Sequence, residues 1–421
     1  GSIKLLASPS TAAVPPTQTI ALNGSINTGG SSLAVVSNGN ITSGLGIAIN
    51  STGGSAFFPY GASGALETAS SPTSNSIVSG RSGVGGNIDF ATNAITGFNT
   101  AGGEVNMAAM AATAGATGNG RILLPAAVTI TTTGGNVQLV AEQTNAGGNS
   151  IQVAGGINTT GGSGVGNISV STATPVLPVT FVSATGALTS SLVGGATQNA
   201  AVNLGSLNAK NSSSTVLNVA RVDAASSING NLGTLTVTAQ SGLLRVGALT
   251  TSGVTSIVNG PGGDITTVGN VVNSGGGITL QTSGLAANGG VITINGAVTK
   301  SGAGDLSLIT TGAGTASNIV INQAVSESGS GNLVIQTSGA NSDITVNNAV
   351  SSDLGSITTL TSGSSGTASI DLLAGATVNG HNLTLTTPAL TVAAAASLTG
   401  VSGDLQVSSN LASGALTVAL A

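Results

Sequence analysis

The sequence predicts an all-β chain folded as a parallel β-helix with three faces. Three observations carry that expectation: a composition poor in helix formers, a unit of three short strands that recurs, and a corner tripeptide placed before the strands. The composition comes first. The chain has 421 residues, 66 of them Gly, with 5% charged and 1% aromatic side chains. Yet 40% are hydrophobic and the mean hydropathy is +0.43, so the chain can bury a core where a disordered one could not. Lys and Arg together number seven, while Val, Ile and Thr abound, which favours strands over helices.

The recurring unit is clearest in Gly277 to Leu306. Three alternating runs, Ile278-Thr279-Leu280, Val291-Ile292-Thr293-Ile294 and Ala297-Val298-Thr299, are separated by Gly, Ser, Ala and Asn. Units begin at Val105, Val137 and Ile168, 32 and 31 residues apart (137−105, 168−137). Later ones begin at Ile278, Leu306, Leu333, Ile357 and Leu383, at spacings of 28, 27, 24 and 26. If each unit is one coil of a solenoid, its strands must keep register while its turns vary in length. With about 26 residues per coil, residues 17–421 make about 15 coils. Any one coil leaves its faces open, so neighbours supply the stability.

The third observation is the tripeptide Gly–(Asn or Asp)–aliphatic. Its polar residue is Asn40, Asn87, Asn136, Asn167, Asn231, Asp264, Asn270, Asp305, Asn332 or Asp404. Gly and Asn tolerate left-handed backbone, and stacked Asn amides would form ladders.

Three stretches depart from the rhythm. Residues 1–16 carry a short strand, Ile3 to Ala7, on a tether containing Pro9, Pro15 and Pro16, and are expected to be detached from the β-helix of residues 17–421. Residues 55–83 hold Phe57, Phe58 and Tyr60, half of the six aromatics, and read as a surface insertion or a cap. A second irregular stretch surrounds 174–200.

The phrasing of residues 262–284 (GGDITTVGNVVNSGGGITLQTSG) and 290–308 (GVITINGAVTKSGAGDLSL) resembles the rod of filamentous-haemagglutinin-like proteins. These are bacterial surface and secreted chains. The resemblance implies a right-handed parallel β-helix and an extracellular setting. The Asn-Pro-Asn signatures of that family's secretion domain do not occur in these residues.

Chemistry is sparse. No cysteine is present, so disulfides and thiolate metal sites are excluded. A net charge of −5 and scattered basic residues give no field to attract nucleic acid. No apolar run reaches the roughly 18 residues of a membrane span. No two of the twelve acids lie within five residues of each other, and Asp264, Asp305 and Asp404 stand where Asn is interchangeable, as turn formers. The single histidine, His381, precedes a strand without metal-ligand spacing. Asn-x-Ser/Thr occurs at Asn23, Asn40, Asn50, Asn158, Asn167, Asn211 and Asn382, as expected by chance in so Asn-, Ser- and Thr-rich a chain. Thr-rich runs such as Thr234 to Thr238 do not recur at one fixed place in the units, which argues against an ice-ordering face.

These readings predict no catalytic, cofactor or metal site and no cofactor. They predict a structural, extracellular subunit that assembles head-to-tail with its own copies. The contacts would come from Ile3, Leu5 and Leu6 at one end and Leu416, Val418 and Leu420 at the other. Other readings are an adhesin stalk, with Phe57, Phe58 and Tyr60 meeting a receptor, and a polysaccharide-acting enzyme.

Overall fold

A computed structural model describes the chain except residues 1–2, 8–18, 28–32, 38–40, 51–55, 60–77, 80–86, 92–94, 101, 110–119, 142–148, 173–178, 181–200, 220, 224–225, 284–289, 313–316, 353–356, 366, 401–402, 412–416 and 421. The described residues contain strands and no helix, so none is long and apolar enough to cross a membrane. The chain divides into two compact units, Gly1–Ser226 and Ser227–Ala421.

In each unit the strands follow one another round three parallel faces, as a three-faced parallel β-helix requires, with Leu243–Thr251 passing unbroken from the second face to the third. In the first unit the first face runs Ile3–Ala7, Leu33–Ser37, Ala56–Pro59, Val105–Ala109, Val137–Ala141, Ile168–Thr172 and Ser214–Val219. Its second face includes Ile41–Ser43, Ile88–Asp89 and Ile122–Leu123, and its third Gly97–Asn99, Ile130–Thr131 and Ile157–Asn158. In the second unit the first face has eight strands, from Thr234–Ala239 to Leu405–Ser408. Seven and eight first-face strands make fifteen coils, as the unit length predicts.

The strand pattern explains the sequence pattern. First-face strands such as Ile278–Thr282 and Leu306–Thr310 point residues 1, 3 and 5 inward, and three-residue strands such as Ile292–Ile294 point residues 1 and 3 inward. The inward side chains stack in columns: Ile257, Leu280, Leu308, Ile335, Leu360 and Leu385 are register partners on successive coils, and all are fully buried. Parallel pairing in register brings like over like, and the columns exclude water continuously.

Coil length varies mainly at one corner. Between the first and second faces the second unit spends residues 283–291 in one coil and only 387–388 in another, while the passage from second to third face stays at 295–297 and 322–324. Register is fixed in the strands, and a surface loop costs little to lengthen. Both irregular stretches of the first unit leave from this same corner, and Val78–Ser79 of one pairs antiparallel with Val179–Thr180 of the other.

Three expectations need correction. Ile3–Ala7 is not detached: it pairs in parallel with Leu33–Ser37 over five residues and forms the first-face strand of the first coil. Its backbone donors and acceptors find an in-register neighbour in the same chain, which outweighs the proline tether as a signal. Phe57 and Phe58 are not in a protruding insertion either. They lie in Ala56–Pro59, opposite Ala34 on one side and Asn106 and Met107 on the other. Tyr60 lies outside the described residues. Finally, the coil read as starting at Ile357 starts one residue later. Leu333 and Leu383 are both partnered by Thr358, so the spacings are 25 and 25 (358−333, 383−358). Thr358 occupies the inward place, fully buried, because its hydroxyl is 2.5 Å from that of Ser352.

Candidate functional site

The corner tripeptide has a specific mechanism. At Asn87, Asn136, Asn167, Asp264, Asn270 and Asp305 the side-chain oxygen accepts the backbone N–H of the equivalent residue one coil further on. Asn136 Oδ1 accepts from Asn167 at 2.9 Å, and Asn167 Oδ1 from Ser214 at 2.8 Å. Asp264 accepts from Val291, Asn270 from Ala297, and Asp305 from Asn332. Only an acceptor is used, which is why Asn and Asp interchange. The expected amide-to-amide ladder exists at a different corner, where Asn322 donates to Asn295 and Asn347 donates to Asn322. The preceding Gly is needed for close stacking: a Cβ on Gly331 would lie 1.6 Å from the carbonyl oxygen of Gly304.

Asn318 and Asp343 do the same work: Asp343 donates its N–H to Asn318 and accepts that of Ser369. The sequence reading missed them because Ser, not Gly, precedes each. A pattern of small residue, Asn or Asp, then aliphatic would have found both. Asp305→Asn is expected to leave stability within about 0.5 kcal/mol of the parent, and Asp305→Ala to lose about 1 kcal/mol, by urea denaturation.

Most described acids are thereby engaged in structure. Glu104 accepts from the Asn136 amide at 3.0 Å. Asp343 and Asp371, on successive coils, both reach the hydroxyl of Ser369, at 3.2 and 2.6 Å. No group of three or more His, Asp or Glu able to hold a metal is found among the described residues.

The strongest concentration of chemistry was not anticipated. Thr251, Asn273, Lys300, Glu327 and Ser352 are register partners on five successive coils, at the inward place that closes the third face. All five are buried. Lys300 Nζ donates to Glu327 Oε1 at 3.0 Å, with both side chains 0% exposed. Three of the five also cap the backbone of their own corner. Lys300 Nζ donates to Gly302 O at 2.5 Å, and Glu327 Oε1 accepts from Gly329 N at 2.8 Å. Asn273 Oδ1 accepts from Gly275 N and Gly276 N at 3.2 and 3.0 Å. Its amide donates to Thr251 and Thr255 hydroxyls at 2.8 and 3.3 Å, and to Gly253 O. In the first unit the same slot holds Thr100, Thr132 and Thr159, whose hydroxyls donate to the carbonyls of Gly103, Gly135 and Gly166.

A signal for this column was present. The segments Val271-Val272-Asn273-Ser274-Gly275, Val298-Thr299-Lys300-Ser301-Gly302 and Val325-Ser326-Glu327-Ser328-Gly329 align, and Asn, Lys and Glu fall at one place before Ser-Gly. Read singly, Lys300 is one scattered cation and Glu327 one dispersed acid.

The predicted end contacts are placed as follows. Ile3, Leu5 and Leu6 pair with Leu33, Val35 and Val36. Leu420 pairs with Val392 and Val418 with Leu390, Val418 being 48% exposed. Leu416 lies outside the described residues. Comparison with known protein families, curated proteins and solved structures gives no match.

Proposed function

We propose that this chain is a structural, extracellular β-solenoid that adds to its own copies, coil on coil, to make a fibre. One observation carries the reading. Leu405 stands in the column of Leu306, Leu333 and Leu383, which are fully buried, yet it is 48% exposed. Val418, in the column of Ile370 and Leu390, is 48% exposed as well. These side chains stand at the inward places of their strands, so a further coil stacked on them, whether of this chain or of a copy, would bury them. Such an edge accepts a strand of the same kind. The strand Ile3–Ala7, paired to Leu33–Ser37, offers its other edge to a second copy. Contacts of this head-to-tail kind do not close, and open filaments result. Secretion is supported by the composition and by the resemblance of residues 262–308.

Negative-stain electron microscopy of the purified chain is expected to show filaments. Leu405→Lys with Val418→Lys puts charge on the open edge and is expected to leave single particles with unchanged circular dichroism. A parent chain that stays monomeric at every concentration would sink the proposal.

A further inference from the structure

We propose that Lys300 and Asn273 join through a side-chain amide, with Glu327 as the base. The three lie on consecutive coils, register partner over register partner, in a column closed to water. In the structure Nζ is held by Glu327 and the carbonyl of Gly302. Neighbouring strands of a sheet are about 4.8 Å apart, so a stem four methylenes long can reach the Asn273 carboxamide once Nζ turns away from Gly302.

Each partner is prepared for that reaction by the contacts it makes. Two backbone N–H groups, those of Gly275 and Gly276, converge on Asn273 Oδ1. They polarise the carboxamide and would hold the negative oxygen of a tetrahedral adduct, as an oxyanion hole does. Glu327 touches Nζ itself, at 3.0 Å, and is held in place by Gly329 N. Its carboxylate takes a proton from the ammonium and leaves an amine with a free electron pair. That amine attacks Cγ of Asn273. The Nζ–Cγ bond forms and the Cγ–Nδ2 bond breaks. The second proton on Nζ passes to the departing nitrogen within the adduct, ammonia leaves, and Glu327 keeps the proton it took. Nothing is oxidised or reduced, and no further reactant is required. The ion pair is the state before reaction, and the product is a neutral covalent tie between two coils where two buried charges stood.

The test does not depend on assembly, and so stands apart from the fibre proposal. The intact mass of the purified full chain is expected to be lower than the sequence mass by one ammonia. After unfolding, trypsin is expected to cut after Lys210, Arg221 and Arg245 but not after Lys300, and chymotrypsin, which cuts after leucines such as Leu280, is expected to leave the segment of Lys300 joined to that of Asn273. Asn273→Ala and Glu327→Gln should each restore both the full mass and cleavage after Lys300. These readouts hold even for a variant that folds poorly, since a chain without the amide has the full mass by definition. A parent chain of full sequence mass that is cut normally after Lys300 would overturn the proposal. So would loss of one water with Lys300 joined to Glu327, which would make Glu327 the partner and not the base.

Discussion

In the Asn273→Ala background, where no side-chain amide forms, Lys300→Met and Glu327→Leu, made singly, are each expected to cost about 3–5 kcal/mol of stability, whereas adding both is expected to be neutral or up to about 1–4 kcal/mol stabilising. Magnitudes decide the sign. At 3.0 Å the attraction between the two charges is about 5–6 kcal/mol in an effective dielectric of 20. Removing both ions from water costs several kcal/mol each, so the pair sits near break-even. A single replacement keeps one desolvated ion and removes its counter-charge, and that orphan dominates the loss. The double replacement removes both penalties and leaves caps such as those at Gly302 O and Gly329 N to be made good. Chemical denaturation of the four species in that background gives the coupling energy of the ion pair directly. Because coils are stabilised by their neighbours, the loss should appear first as faster amide exchange in residues 291–337. Single variants that lose less than about 1 kcal/mol would show the pair to be solvated, contrary to its burial.

The same column shows why part of the fold was legible in the sequence and part was not. Ile278, Leu306 and Leu333 announced their coils because the inward places are aliphatic and alternate with Thr, Ser or Val. Where an inward place is polar, alternation misleads. Thr358 is as deeply buried as its neighbours Leu333 and Leu383, yet the aliphatic Ile357 beside it drew the boundary one residue early. Lys300 and Glu327 were hidden for the same reason, since a charged residue in a strand reads as an outward one until its partner 27 residues away is known. Ile3–Ala7 and Phe57-Phe58 were misplaced by their prolines and aromatics, which are local signals. What decided both was long-range pairing, with Leu33–Ser37 in the first case and Val105–Ala108 in the second. The acids went the other way: the interchange of Asn and Asp pointed to turn formation, and the acceptor bonds of Asp264 and Asp305 supply its mechanism.

Removal of a whole coil is expected to be tolerated far better than removal of one residue. Val350 and Val378 are register partners 28 residues apart (378−350), so deleting residues 350–377 joins Ala349 to Val378 with every later side chain in its old orientation. The cut removes Ser352 and Thr358 together, so neither hydroxyl is left without the other, and it leaves Lys300 and Glu327 in place. The variant loses one coil's share of stability and keeps a cooperative transition. Deleting Thr279 alone does more harm. Leu280 then takes an outward place, and Gln281 enters the column between Ile257 and Leu308. Exposing the leucine costs about 1.5–3 kcal/mol and burying the unpaired amide about 1–3 kcal/mol more. Corner loops can take up one residue, but the middle of Ile278–Thr282 cannot, since both of its neighbours hold it in register over five residues. Circular dichroism and urea denaturation of the two deletions compare them directly. If the 28-residue deletion unfolds while the single-residue one does not, stacking in register is not what holds these coils together.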